Sequence, residues 1–258
     1  METTLNPQRR RFLKMLATGA ASTTVLLVYR SSSSSAETET KPNASAEDGP
    51  KHNYAYVINV GNCIGCGSCV RACSAENDVP AGVFRTWVER FIKTDEGVYM
   101  DSPNGSADGF VEADQSVVEA SLESWFVPKM CNHCHNPPCV HVCPVGATFQ
   151  TEEGFVLVDD KHCIGCGYCV QGCPYSARYM NPKTHVADKC TWCYHRVKRG
   201  KLPACVTVCP TKARLFGDLN DETSEVARIF GERRWLVLKP DQNTDNYCFY
   251  IDLPEEVV

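Results

Sequence analysis

The chain lacks most of the features that announce an active site. Its 258 residues contain no glycine-rich phosphate loop, no nucleophile paired with a base and no motif of a substrate pocket, so no direct small-molecule substrate is expected. Basic residues do not gather into a stripe: 26 Lys and Arg stand against 31 Asp and Glu, a net charge of −5, which argues against nucleic acid as a partner. Downstream of the N-terminal segment there is no apolar run approaching the roughly 20 residues of a bilayer-spanning helix. The body is therefore expected to meet a membrane only through a partner. With 43% hydrophobic residues the composition is globular, not disordered.

What the chain has in abundance is cysteine. Sixteen of its 17 cysteines fall into four quartets: Cys63, Cys66, Cys69 and Cys73; Cys131, Cys134, Cys139 and Cys143; Cys163, Cys166, Cys169 and Cys173; Cys190, Cys193, Cys205 and Cys209. The first and third read C-x2-C-x2-C-x3-C. Pro144, Pro174 and Pro210 follow the last cysteine of quartets two, three and four, and Ser74 stands in that place in the first quartet. This is the bacterial ferredoxin run, in which three thiolates hold one [4Fe–4S] cube and the fourth reaches a second cube. Iron in such a cube wants soft anionic sulfur. Two residues between cysteines let a short loop curl round one face, and Gly65, Gly67, Gly165 and Gly167 let that loop take strained dihedrals and bring backbone N–H groups to the sulfurs. Four such runs imply four clusters and electron transfer. A secreted disulfide scaffold would be smaller and would use an even count. Paired C-x2-C units also describe structural zinc sites, so a zinc-binding protein is the alternative from another class, told apart by iron and acid-labile sulfide content.

The N-terminus reads as an export signal over residues 1–36. Arg9, Arg10 and Arg11 precede Phe12, Leu13 and Lys14; an apolar stretch softened by hydroxyls follows, and Ser34, Ser35 and Ala36 offer a small-residue cleavage site. The twin arginine is a bacterial export address, of the kind used by proteins exported already folded. The expected location is the periplasm, at the outer face of the cytoplasmic membrane. Residues 37–53 read as a flexible linker.

The body is self-similar. A strand-like segment precedes the first quartet (54–60) and the third (155–158), and related stretches follow the fourth cysteines: Pro144 to Thr148, Pro174 to Arg178, Pro210 to Arg214. Quartets two and three lie close together and form one two-cluster module, expected over 131–185. Quartets one and four are expected to close round it as a second, outer module from 54–98 and 186–220. Residues 84–93 alternate as a strand would, and 99–130 is read as an inserted β-rich segment, either for docking or capping or as a plain structural hairpin, with 221–258 a C-terminal extension. The fold class is α+β: two interleaved ferredoxin-like 2[4Fe–4S] modules of short strands and helices. His195, Arg196, Lys198, Arg199 and Lys201 make a basic loop that either meets an acidic partner or is a solvated turn.

These residues carry a resemblance. Cys131-Asn132-His133-Cys134-His135-Asn136-Pro137-Pro138-Cys139, then Cys143-Pro144-Val145-Gly146-Ala147-Thr148, and Asp188-Lys189-Cys190-Thr191-Trp192-Cys193 before Leu202-Pro203-Ala204-Cys205, resemble the four-cluster electron-transfer subunits of the dimethyl-sulfoxide-reductase family of molybdopterin oxidoreductases. Within that family, Glu76-Asn77, Phe84-Arg85-Thr86, Phe149-Gln150 and Val237-Leu238-Lys239-Pro240 are most similar to the tetrathionate reductase branch, with polysulfide and thiosulfate reductases as near neighbours. The resemblance implies a crossover of ligands: Cys63, Cys66 and Cys69 with Cys209; Cys190, Cys193 and Cys205 with Cys73; Cys131, Cys134 and Cys139 with Cys173; Cys163, Cys166 and Cys169 with Cys143. It also implies a non-catalytic relay between an integral-membrane quinol-oxidising subunit and an exported molybdopterin-containing catalytic subunit. Service to a membrane hydrogenase or another sulfur-metabolising complex is the alternative within electron transfer.

Overall fold

The computed structural model describes residues 52–110 and 115–258. The export signal and all of the linker but His52 and Asn53 lie outside the described residues. Those two belong to the folded body: the Asp218 carboxylate accepts from the Asn53 N–H at 2.8 Å and meets His52 Nδ1 at 2.7 Å, while Asn53 C=O accepts from Leu219 N–H at 2.8 Å. No helix among the described residues is long and apolar enough to cross a membrane.

One local plan recurs four times: an entry strand, a cysteine loop, a helical turn carrying later cysteines, and an exit strand. Around the first quartet these are β1 (Tyr54–Asn59), α1 (Ser68–Asn77) and β2 (Thr86–Thr94). The hairpin partner β3 (Gly97–Asp101) and the short α2 (Gln115–Glu119) come before β4 (Glu123–Met130), which enters the second quartet. There α3 (Pro138–His141) holds Cys139 and β5 (Thr148–Gln150) leaves. The third quartet uses β6 (Val156–Val158), α4 (Tyr168–Gln171) and β7 (Arg178–Met180). The fourth uses β8 (Ala187–Lys189), α5 (Tyr194–Val197), α6 (Ala204–Thr207) and β9 (Arg214–Asp218). The chain ends with α7 (Glu225–Glu232) and β10 (Cys248–Ile251).

The sheets tie quartets together. β1 pairs antiparallel with β9, and α1 packs on α6, joining the ends of quartets one and four. β5 pairs with β6 and α3 packs on α4, joining two and three. β7 pairs with β8, linking three to four.

Two segments differ from the expected boundaries. The sheet β3-β2-β4 runs across the junction expected at 98/99, because β2 and β3 form one hairpin and β2 pairs with β4 from Thr86↔Met130 to Lys93↔Glu123. The C-terminal segment is built in, not appended: β10 lies parallel to β1, with Tyr56↔Cys248 to Asn59↔Ile251 in register, and α7 covers that sheet through Val226 against Ala55, Val57, Leu215, Phe249 and Ile251. Cys248 is fully buried in β10, as a small apolar strand residue should be.

Candidate metal centres

The first quartet sits on a loop that must curl tightly. Gly67 takes φ +69° and a Cβ there would lie 2.0 Å from the Ser106 carbonyl oxygen, so the loop and the insertion close over each other in a way only glycine permits. Arg71 Nη1 fixes the same contact by donating to Ala107 C=O at 2.5 Å. The inserted segment thus caps the first cysteine loop. Gly165 plays the matching part in the third loop, where a Cβ would meet His185 C=O at 2.6 Å. Cys69 and Cys73, four apart on α1, share one buried face.

All 17 cysteines are free thiols, and most of the sixteen in quartets are buried or half-buried; Cys166 is exposed. Their electrostatic neighbourhoods show which ones gather. Burial pushes the Cys63 thiol up to about 11, with Cys69 and Cys209 adding repulsion. Burial pushes Cys73 to about 12, with Cys205 and Cys193 adding to it. Cys134 rises to about 12 by burial beside Cys131, Cys139 and Cys173. In each case the last cysteine of one run lies among cysteines of another. Cys143 has a different setting: burial would raise it, but the backbone N–H groups of Thr148, Val145, Ala147 and Gly146 together lower it.

The cavity at the second quartet is lined by Cys131, Cys134, Cys139 and Cys173, with Asn132 and Arg178. Asn132 is 1% exposed, yet neither its Nδ2 nor its Oδ1 has a hydrogen-bond partner. An unpaired buried carboxamide costs about 1–3 kcal/mol, and a sulfur-bearing group in this cage would give its N–H an acceptor. Among the described residues no three Cys, His, Asp or Glu side chains converge on a point where one metal ion could sit. Zinc needs its ligands about 2.0–2.3 Å from a single ion. A cubane offers a separate iron to each thiolate and suits sulfurs that surround a cage, so the residues present fit it.

Polar side chains that sequence reading passed over surround these thiols. Asn77 Nδ2 donates to Cys73 Sγ at 3.6 Å and Cys193 Sγ at 3.8 Å; its Oδ1 accepts from Arg85 Nη1 at 3.1 Å, which fixes the amide orientation. Arg85 in turn pairs with Asp188 at 2.8 Å, both largely buried. Burial alone would push this guanidinium down, but the Asp188 carboxylate leaves it above its ordinary value. Tyr56 OH lies 3.1 Å from Cys205 Sγ. The Asn246 carboxamide lies 3.5 Å from Cys134 Sγ, and the cysteine loop at 132–136 is hydrogen-bonded to the C-terminal segment through His135 N–H to Asp245 C=O at 2.7 Å and Tyr247 N–H to Asn132 C=O at 3.1 Å.

Quartets two and four meet at a buried junction. Val156 N–H donates to His133 Nδ1 at 3.0 Å, so the ring proton sits on Nε2, 3.1 Å from Cys190 C=O. Burial, with Lys189 nearby, holds His133 well below the ordinary imidazole value, so it stays neutral. Trp192 stacks on it at 4.2 Å, donates its indole N–H to Cys131 C=O at 3.0 Å and its backbone N–H to Cys190 Sγ at 3.4 Å. Lys189, 1% exposed, donates to the Val156 and Cys190 carbonyls. His133 is thus a packing and positioning residue, while His195 and Arg196 pair with Glu76 at 2.7 and 2.8 Å and Lys198 with Glu153 at 2.9 Å. Those ion pairs engage three of the five basic-loop residues within the chain, although His195 and Lys198 stay exposed.

Comparison with known proteins agrees with this geometry. A 4Fe-4S dicluster domain family matches residues 62–147 and a second 4Fe-4S dicluster domain family matches 122–219, together giving four clusters. The chain is 45% identical over 214 residues to the B subunit of tetrathionate reductase from Salmonella typhimurium, covering 82% of this chain and 77% of that protein. It is 47% identical over 200 residues to the B subunit of tetrathionate reductase from Archaeoglobus fulgidus, covering 78% and 82%. The thiosulfate reductase electron transfer subunit PhsB of Salmonella typhi is 40% identical over 183 residues, covering 70% and 83%. The chain therefore belongs to the family of four-cluster iron–sulfur electron-transfer subunits that includes those of the tetrathionate reductases, and it is a relay, not a catalytic subunit.

Proposed function

We propose that this chain relays electrons from an integral-membrane quinol-oxidising subunit to an exported molybdopterin-containing subunit that reduces tetrathionate. The sixteen quartet cysteines would be the iron ligands, crossed over in two nested modules: Cys209 with Cys63, Cys66 and Cys69; Cys73 with Cys190, Cys193 and Cys205; Cys173 with Cys131, Cys134 and Cys139; Cys143 with Cys163, Cys166 and Cys169. When bound, each [4Fe–4S] cluster takes up and passes on one electron. The observation that carries the reading is the gathering of the last cysteine of one run among the first cysteines of another, seen at Cys209, Cys73 and Cys173.

The chain's own residues then do three things. The thiolates hold iron; Asn77, Tyr56 and Asn132 present polar hydrogens to the cages; and Trp192, His133 and Lys189 fix the loops of quartets two and four against each other. The two relatives at 45% and 47% identity, both named for tetrathionate, support that oxidant over thiosulfate. The Arg9-Arg10-Arg11-Phe12-Leu13-Lys14 run supports export to the periplasm.

The test is reoxidation. The chain is purified anaerobically with the subunits that travel with it, reduced through a quinol analogue, and offered tetrathionate, thiosulfate or polysulfide. Bleached visible absorbance should return fastest with tetrathionate, and iron and acid-labile sulfide should each be about sixteen per chain. Reduction by hydrogen with no response to any sulfur compound would transfer the chain to a hydrogenase, and zinc in place of iron would end the relay reading.

A further inference from the structure

The four exit strands begin with only two residue types. β2 starts at Thr86 and β5 at Thr148, while β7 starts at Arg178 and β9 at Arg214, each arginine five residues after the last cysteine of its quartet in a Cys-Pro-x-x-Ala-Arg run. The arginines and threonines meet in pairs. Arg214 Nη2 donates to Thr86 Oγ1 at 2.9 Å, across quartets four and one; Arg178 Nη1 donates to Thr148 Oγ1 at 3.2 Å, across quartets three and two. Both arginines are buried, Arg214 1% and Arg178 5% exposed.

Among the described residues neither guanidinium is hydrogen-bonded to a carboxylate. Further bonds go to sulfur: Arg178 Nη2 to Cys139 Sγ at 3.0 Å, Arg214 Nη1 to Met130 Sδ at 3.9 Å. A cation so placed is costly unless negative charge lies close by. The charge available is thiolate, and it comes from two quartets at once. Although burial opposes it, Arg178 is held charged by Cys139 and Cys131 of the second quartet and Cys169 of the third. Arg214 is held charged in the same way by Cys69 of the first quartet, by Tyr56, and by Cys205 of the fourth.

We infer that Arg178 and Arg214 are the potential-setting cations of the two modules, each lying against ligands of two clusters and raising the reduction potential of both. The inference rests on the ligand sets proposed above. A fixed positive charge in a low-dielectric site favours the more negative, reduced form of any centre beside it. Sharing it also offsets the repulsion that an electron on one centre exerts on the next. The threonine hydroxyl accepts from each guanidinium and so fixes its place beside the cysteines.

The test is a potentiometric titration followed by electron paramagnetic resonance on the full chain in its complex, with R214Q, R214K, R178Q and R178K. The native chain must first show about sixteen iron and four titrating centres; fewer would overturn the ligand reading itself and not this inference alone. R214Q should lower the electron affinity of two centres at least tenfold, which is 59 mV for one electron, and leave the other two in place. R178Q should move the complementary pair. The lysine variants, which keep the charge, should stay within threefold of native. A shift confined to one centre, an equal shift of all four, or none would overturn the inference. If the glutamine variants lose iron, retention of four unshifted centres in the lysine variants upholds the need for charge, and loss in those too would show that shape alone is required and refute it.

Discussion

Arg85 offers the sharpest test of how the two halves of the outer module are held together. It precedes β2, on the side of quartet one, and pairs at 2.8 Å with Asp188 on β8, the entry strand of quartet four; the side chains are 16% and 13% exposed. Removing one member of a buried ion pair costs about 3–5 kcal/mol when the other charge is left alone. Asp188 would not be quite alone. It would still accept from Tyr179 OH at 2.8 Å, Asn181 Nδ2 at 3.1 Å and Lys189 N–H at 2.6 Å. The Arg85 Nε is buried without a partner, so part of the native interaction is already forfeited. R85M is therefore expected to fall at or below the bottom of that range, about 2–3 kcal/mol. Unfolding of a cluster protein is irreversible, so the measurement is a rate: loss of visible absorbance in guanidinium under argon. At about 1.4 kcal/mol per tenfold, R85M should release iron some 30- to 150-fold faster than native if the pair is absent from the transition state. The double variant R85M/D188N should be less damaged than the two single losses added together, by about 2 kcal/mol. A rate within threefold of native, or simple additivity, would show that the pair does not clamp quartet one to quartet four.

Ligand crossover predicts matched phenotypes: C73A should erase the same paramagnetic signal as C205A, and C209A the same as C69A, whereas C73A matching C69A would refute the exchange. N132L, which replaces the unpaired carboxamide by a similar volume, should stabilise the iron-free form by about 1–3 kcal/mol but lower the potential of the centre bounded by Cys131, Cys134 and Cys139; no shift in potential would show that the amide never meets the cluster. Cys248 is raised by burial to about 12, so the folded chain keeps a proton that the unfolded chain gives up above its ordinary value of 9.0. Stability should thus fall as pH rises from about 9 to 12, by up to about 1.4 kcal/mol per pH unit from this thiol. C248A should reduce that slope, measured as the pH dependence of iron release, and should keep all four clusters.

The cluster loops were legible in the sequence because their chemistry is local. A thiolate spacing such as Cys63, Cys66 and Cys69 has few uses, and the glycines beside it state the backbone the loop must adopt. The strand expected over 84–93 appears as β2 (Thr86–Thr94) for a similar reason, since alternation is a property of the segment itself. The partners of those segments were not legible. Nothing in residues 248–251 says that they lie parallel to β1, because a short buried strand reads the same whichever neighbour it finds. The role of 243–247 in sealing the second cysteine loop was hidden as well, since its bonds are largely made by backbone carbonyls and N–H groups that every sequence possesses.

The arginines mark the other limit. Arg178 and Arg214 stood in plain view as repeats after Pro174 and Pro210, yet repetition shows descent from one unit and not what the repeated side chain touches. What distinguishes them is that β2 and β5 carry threonine at the first position of the strand, so each pairing sets one arginine against one hydroxyl. Two guanidiniums in one such space would repel each other and could not both be paired with sulfur; none would leave two anionic cages facing each other through protein of low dielectric. One arginine facing one hydroxyl acceptor is the arrangement that satisfies both hydrogen bonding and charge. A T148R or T86R substitution should accordingly reduce cluster loading in its own module, and a chain that accepted it with full iron content would show that charge balance does not govern this interface.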